Sequence, residues 1–232
     1  MTAAPSGPSR SRRERPAKPA LTRAGIIATA VALLRAEGLQ KVTMRRLAQE
    51  LDTGPASLYV YVANTAELHA AVLDELLGTV DLAPVHAGGD WRERILAVLT
   101  SYTAVLFDHP SLARSALLAR PRGEHYLQLL EGLLSLLDEG GVPPGQAAWG
   151  VDVLLQHATA TAAEHAGRDD EADQADWDAV ARAVREVDAS HPHLAAIGED
   201  LLSGSPPERL TWGFRVLLNG IAYTPRTAKE KP

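Results

Sequence analysis

Eight histidines are the first candidates for metal or acid–base chemistry in this chain. They cluster with other ligating groups at Glu164-His165 and at His191-Pro192-His193. Neither cluster brings further ligands at the spacing a zinc site needs. Cysteine is absent, which removes disulfides, thiolate metal sites and cysteine nucleophiles. No nucleophile elbow, phosphate loop or zincin signature occurs either. Catalysis is not expected, and no metal or cofactor is implied. What remains is a set of cations and hydroxyls near the N-terminus. Residues 1–51 hold ten Lys or Arg against three acids, whereas the rest of the chain holds 13 basic against 26 acidic residues. A net charge of −6 thus conceals a basic start and an acidic remainder. Such asymmetry suits a surface that meets phosphates, carried on a body that stays clear of them. A solvated basic tail would produce the same count.

The elements that must position these groups are all helical by pattern. Residues 1–20 are rich in Ser, Pro, Gly and Arg and lack apolar periodicity, so a disordered basic arm is expected. From Thr22, Ile26, Ile27, Ala30, Val31 and Leu34 recur at helical spacing, and Gly38 supplies a stop. Thr43 is placed to cap a short helix through Leu51, with Leu47 and Leu51 inward and Arg45 and Arg46 outward. Thr53-Gly54-Pro55 breaks the chain, and residues 56–62 make about two turns. Asn64-Thr65-Ala66-Glu67 resembles a capping box and opens a longer helix. Beyond the break at 83–89, helices are expected at 91–107, 111–119, 123–139, 144–166, 177–189, 193–202 and 207–223, with an acidic loop at 168–174. No sustained alternation predicts a strand. The fold class is all-α. No signal peptide is legible and no apolar run approaches the roughly 18 residues of a membrane span. A soluble, cytoplasmic protein without a membrane partner is expected.

Two short helices joined by a tight turn, braced by a third, are the minimum that presents one helix to a major groove about 12 Å wide. Here 43–51 would brace and 56–62 would read, its small leading residues permitting close approach to base edges. The run Thr43-Met-Arg-Arg-Leu-Ala-Gln-Glu-Leu51, the turn Asp52-Thr-Gly-Pro55, then Ala56-Ser-Leu-Tyr-Val-Tyr-Val62 and Asn64-Thr-Ala-Glu-Leu68 resemble the TetR family helix-turn-helix. The likeness spans residues 22–68 and implies a DNA-binding unit at 21–68, with its motif at 43–62. It implies DNA contacts from Thr43, Arg45, Arg46, Thr53, Gly54, Pro55, Ala56, Ser57, Tyr59, Tyr61 and Thr65. The tyrosine hydroxyls would lie near the sugar–phosphate backbone. Thr65 stands where the family commonly has Lys, so one phosphate charge is missing. Leu58 and Leu68, with Leu47 and Leu51, are expected in the core.

The body, 69–223, is expected to bind an effector and to dimerise, with 224–232 as a tail. Trp91, Tyr102, Phe107, Tyr126 and Trp149 fall on helical faces that also carry leucines. On the 144–166 helix, His157, Thr161 and Glu164 share one face and Gln156 with Ala160 the next. A pocket is expected among Tyr102, Phe107, His109, Tyr126, Trp149, His157 and Glu164. More loosely, Phe107-Asp-His-Pro110, Ala119-Arg-Pro121 and Ala163-Glu-His165 resemble the tetracycline-repressor branch. In that branch a His before the Arg-Pro pair and a later Glu help hold a magnesium–drug complex. Glu164 occupies the Glu position, but the His position falls at Ala116, which ligates nothing. A mostly apolar organic effector is expected instead. Family operators are near-palindromes read by twofold dimers, so the resemblance implies a homodimer on double-stranded DNA. The helices at 144–166 and 207–223 would form its seam. A protein partner in place of a small ligand is the competing expectation, and a body packed without a cavity would favour it.

Overall fold

A computed structural model describes residues 20–164, 170–187 and 190–226. The expected basic arm up to residue 19, His165 and the tail beyond residue 226 lie outside the described residues. Every regular element among those described is helical. In chain order they are α1 (Arg23–Glu37), α2 (Met44–Glu50), α3 (Pro55–Leu58), α4 (Thr65–Leu77), α5 (Trp91–Asp108), α6 (Pro110–Ala116), α7 (Glu124–Glu139), α8 (Pro144–Glu164), α9 (Asp170–Arg185), α10 (Pro192–Leu202) and α11 (Pro206–Tyr223).

Capping chemistry sets most of these boundaries. Thr22 Oγ1 accepts from the Gly25 amide at 3.0 Å, and Thr43 Oγ1 accepts from that of Arg46 at 3.2 Å. Gly38, at φ 82, ends α1 by donating its N–H to the Leu34 carbonyl. Asn64 Oδ1 caps α4 by accepting from the Glu67 amide at 2.9 Å, while Glu67 reaches back to the Ala63 amide at 2.8 Å. The turn after α2 departs from expectation. Gly54, at φ −84, adopts an ordinary extended conformation; Asp52, at φ 47, makes the reversal. The Asp52 amide donates to Gln49 O and the Thr53 amide to Ala48 O, the paired bonds of a Schellman cap. Regular helix in α3 stops at Leu58, and the Tyr61 and Val62 amides both return to the Leu58 carbonyl.

One apolar core runs through the bundle. Ile26, Leu47, Leu58 and Leu68 are fully buried at its N-terminal end, whereas Leu51 is only half-buried. Leu73, Ile95, Leu99, Leu133 and Leu154 continue it into the body. Each such side chain contributes about 1.5–3 kcal/mol by leaving water. Helix α4 packs on α1 and also on α6 and α7, so it belongs to both ends of the molecule. Helix α8 is central to the body and touches α5, α6, α7 and α11. α5 and α6 meet at an angle of 107° around His109-Pro110, where proline cannot continue the preceding helix. Arg94 is buried and donates to the carbonyls of Pro84 and Val85 at 2.8 and 2.7 Å and to Glu139 at 2.6 Å. It thereby fastens the 83–86 turn to α5 and α7. Most of the expected acidic loop is helix, because α9 already starts at Asp170. No single helix among the described residues is long and apolar enough to cross a membrane.

Candidate functional site

Leu58 and Val62 bury the inner side of α3 and its following turn. This leaves Gly54, Pro55, Ala56, Ser57, Tyr59 and Val60 exposed, with Thr43 and Arg45 exposed beside them and Thr65 exposed at the start of α4. Such a face is small in relief and rich in hydroxyls and backbone. The Thr43 hydroxyl accepts its capping bond and so retains a proton to donate outward. Thr53 is half-buried at the turn. Two expected contacts are occupied internally. Arg46 bonds Glu37 and Glu50, each at 2.7 Å, which ties α2 to the end of α1. The pairing raises the Arg46 pKa, and the Arg46 guanidinium holds Glu37 below the usual carboxylate range. Tyr61 is half-buried and donates its hydroxyl to the Leu21 carbonyl at 2.8 Å. It secures the chain just ahead of α1, where a hydroxyl near the sugar–phosphate backbone was expected.

Behind this face a cleft of about 980 Å³ opens between the start of α4, the loop after α6, α7 and α8. Its walls include Asn64 at the cap of α4, Glu67 and Ala70 of α4, and Leu118, Leu130, Leu134 and Val151 of the body. A smaller recess of about 60 Å³ is lined by Tyr102, Ala116, Leu155, Gln156 and Thr159. Cleft and recess share Arg120, Pro121, Tyr126 and Asp152, and an Arg120–Asp152 ion pair spans the shared wall. Burial pushes Tyr102 up to about 12 and raises Tyr126 as well.

Helix α4 connects cleft and exposed face through polar side chains. Glu67 pairs with Arg122 of the cleft wall at 3.4 Å. His69 Nε2 lies 3.1 Å from the Val42 carbonyl, immediately before the α2 cap, and Nδ1 lies 3.3 Å from Ser115 Oγ on α6. A carbonyl only accepts, so in the neutral ring Nε2 carries the proton and Nδ1 accepts from Ser115. Asp74 Oδ1 accepts from the Tyr126 amide at 3.0 Å at the start of α7.

Of the seven residues expected around a ligand, Tyr102 and Tyr126 line these cavities and the other five do not. Phe107 is exposed, and His109 sits at the α5–α6 corner with its pKa lowered by burial. Trp149 is exposed and lies under the Arg226 guanidinium, 4.1 Å from the ring centroid. His157 turns toward α11, edge-on to Phe214 at 5.4 Å, and Glu164 is exposed at the end of α8. Period alone places residues on a face without saying which neighbour covers it. Arg120, Asp152, Gln156 and Thr159 were missed, although Asp152, Gln156 and Thr159 form their own polar stripe at helical spacing. No cluster of three His, Asp or Glu suited to a metal occurs among the described residues.

Comparison with known proteins now bears on both halves. Residues 26–72 match the family described as bacterial regulatory proteins, tetR family, and residues 83–224 match the tetracyclin repressor-like C-terminal domain. Over 107 residues the chain is 38% identical to an HTH-type transcriptional regulator of Saccharopolyspora erythraea. That match spans only 45% of either protein. Over 212 residues it is 27% identical to the HTH-type transcriptional repressor DrrR1 of Streptomyces coeruleorubidus, covering 88% of this chain and 78% of the relative. The solved SCO7704 protein of Streptomyces coelicolor is 62% identical, with a TM-score of 0.79 over 91% of this chain and all of the other. Apo ActR of the same organism is 33% identical with a TM-score of 0.75, covering 87% and 95%. These relatives are regulators and not enzymes. With its body domain alone matched over more than half its length, the chain belongs to the TetR family of DNA-binding transcription regulators.

Proposed function

We propose that this protein is a homodimeric repressor that leaves a palindromic operator when a small organic molecule fills the cleft between α4 and the body. The observation that carries this reading is the composition of the cleft wall, which combines residues of α4 with residues of the loop after α6, of α7 and of α8. A molecule bound there touches the helix that packs on α1 and bonds the residue before the α2 cap through His69, so it can contact two arrangements of the reading unit differently. A cavity of this size also disfavours the protein-partner alternative. ActR has been solved in complex with actinorhodin and with (S)-DNPA, and DrrR1 is a repressor; both support ligand-controlled repression here. Thr43, Arg45 and the 53–57 segment are proposed to contact DNA, Tyr59 and Thr65 to meet its backbone, and the exposed faces of α8 and α11 to form the dimer seam.

Selection of bound DNA from a random pool tests the first half. An enriched dyad with half-sites about 34–36 Å apart is expected; enrichment of an undyadic site, or of none, counts against it. For the second half, operator anisotropy is followed while aromatic compounds, actinorhodin among them, are added. Release by a compound that also binds the free protein is expected, and DNA must in turn weaken that compound's binding.

A further inference from the structure

The recess beside the cleft has a fixed hydrogen-bond polarity. Thr159 Oγ1 lies 2.7 Å from the Leu155 carbonyl and 2.9 Å from Tyr102 Oη. Thr159 has one proton, and the carbonyl can only accept it. Both contacts are hydrogen bonds only if Thr159 donates to Leu155 and Tyr102 donates to Thr159. The reverse direction would strand a buried phenol proton, which is costly. Burial also keeps Tyr102 protonated far above neutral pH. Its oxygen is therefore left as an acceptor at the wall of the recess.

The shared wall offers the opposite polarity. Asp152 engages Nη1 of Arg120, and the rest of this exposed guanidinium stays open to solvent and to a ligand in the cleft. Both nearby carboxylates are already satisfied: Asp152 by Arg120, and Glu67 by the Ala63 amide and Arg122. The recess holds roughly four times the space one water needs, enough for a hydroxyl and a ring edge. Leucine and valine side chains line the larger cleft outside.

Resting on the reading of the cleft as an effector site, we propose that the effector is a ring-bearing hydroxy acid. Its hydroxyl donates to Tyr102 Oη in the recess, and its carboxylate or other anionic acceptor is held by Arg120 at the shared wall. Tyr102 and Arg120 thus select the effector by the direction of its hydrogen bonds.

Calorimetry on the full-length protein tests this with four matched probes: 6-hydroxy-2-naphthoate, 6-methoxy-2-naphthoate, 2-naphthoate and 2-naphthol. The hydroxy acid is expected to bind about tenfold more tightly than 2-naphthoate and than 2-naphthol, a factor in keeping with one hydrogen bond each. Tyr102→Phe should bring the hydroxy acid down to the affinity of 2-naphthoate, and Arg120→Gln down to that of 2-naphthol. Thr159→Val leaves the phenol in place but frees its proton, so the methoxy probe should gain affinity there relative to the native protein. Equal affinities for all probes, or a hydroxyl advantage that survives Tyr102→Phe, overturns the proposal. The neutral dye Nile red separates the two levels. Dye fluorescence in the cleft without any preference among the naphthoates, or without their binding, sinks the hydroxy-acid class alone. Absence of dye and probe binding together removes the effector-site reading beneath it.

Discussion

At the residue scale, Asp52 shows how one backbone angle aims a reading surface. Its φ of 47 is a region that L-residues other than Asn, Asp and Gly enter at a cost of about 1–2 kcal/mol. Asp52→Val should therefore lower stability by about 1–2 kcal/mol and weaken operator binding by more than Asp52→Gly does. Chemical denaturation and anisotropy measure the two effects, and an indifferent Asp52→Val would mean the turn relaxes without Asp. Tyr102 yields a second prediction. Burial lifts its pKa to about 12, while the unfolded phenol titrates near 10. The native state thus holds a proton that the unfolded state releases, so this contribution is complete below pH 10 and lost as pH rises toward 12. The loss approaches about 2–3 kcal/mol, and Tyr102→Phe should show a shallower alkaline decline than the native protein. Parallel declines would place the phenol in contact with water. The exposed half of the site was legible because small residues at 54–57 and the Thr43 cap are local features. Arg46 and Tyr61 were not, because their partners Glu37 and Leu21 are nine and forty residues away. The recess was half legible: Tyr102 and Tyr126 were found as aromatics on apolar faces, but Arg120 and Asp152 meet only when α8 is folded against the loop after α6.

Among the elements, α4 carries the argument between cleft and DNA. It offers Glu67, His69 and Asp74 to the loop after α6, to α6 itself and to the start of α7. Gly123 makes the last contact possible, since a Cβ there would overlap the Asp74 carboxylate. His69 bonds both to the residue before the α2 cap and to α6. Replacing it with Leu leaves the Val42 carbonyl without this partner and should cost about 1–3 kcal/mol of stability. His69→Gln, which can still donate, should recover part of that loss. If Leu and Gln behave alike, the contact is packing and not a hydrogen bond. Most helices were legible from apolar period and caps, because Thr22, Thr43 and Asn64 act within three residues of themselves. The start of α9 was not. Acidic residues favour both loops and first helical turns, and local sequence does not choose between them. The shortness of α3 escaped as well, since Tyr59, Val60 and Tyr61 suit a helix as well as the turn they form.

For the whole molecule, charge and apolar surface divide the labour. Ten of the 23 basic residues precede residue 52, and five of those lie in the first 19. Deleting residues 1–19 should flatten the slope of log affinity against log salt, because fewer counterions are released from DNA. An unchanged slope would show that these cations stay off the phosphates. Apolar exposure lies elsewhere. Trp212, Val216 and Tyr223 recur on one face of α11, and Trp149 and Val153 lie exposed on α8, which packs against α11. A monomer gains nothing from five large apolar groups in water on adjoining helices; a twofold partner that supplies the same two helices would cover them. Val216→Glu places a charge in the middle of that face without touching the buried Phe214 and Leu218 that hold α11 to the body. Helix content should persist while sedimentation shifts from dimer to monomer. Operator affinity should then fall by about 100-fold or more, since two linked half-sites bind far more tightly than one. A dimer that survives Val216→Glu with unchanged operator affinity would move the seam off α8 and α11.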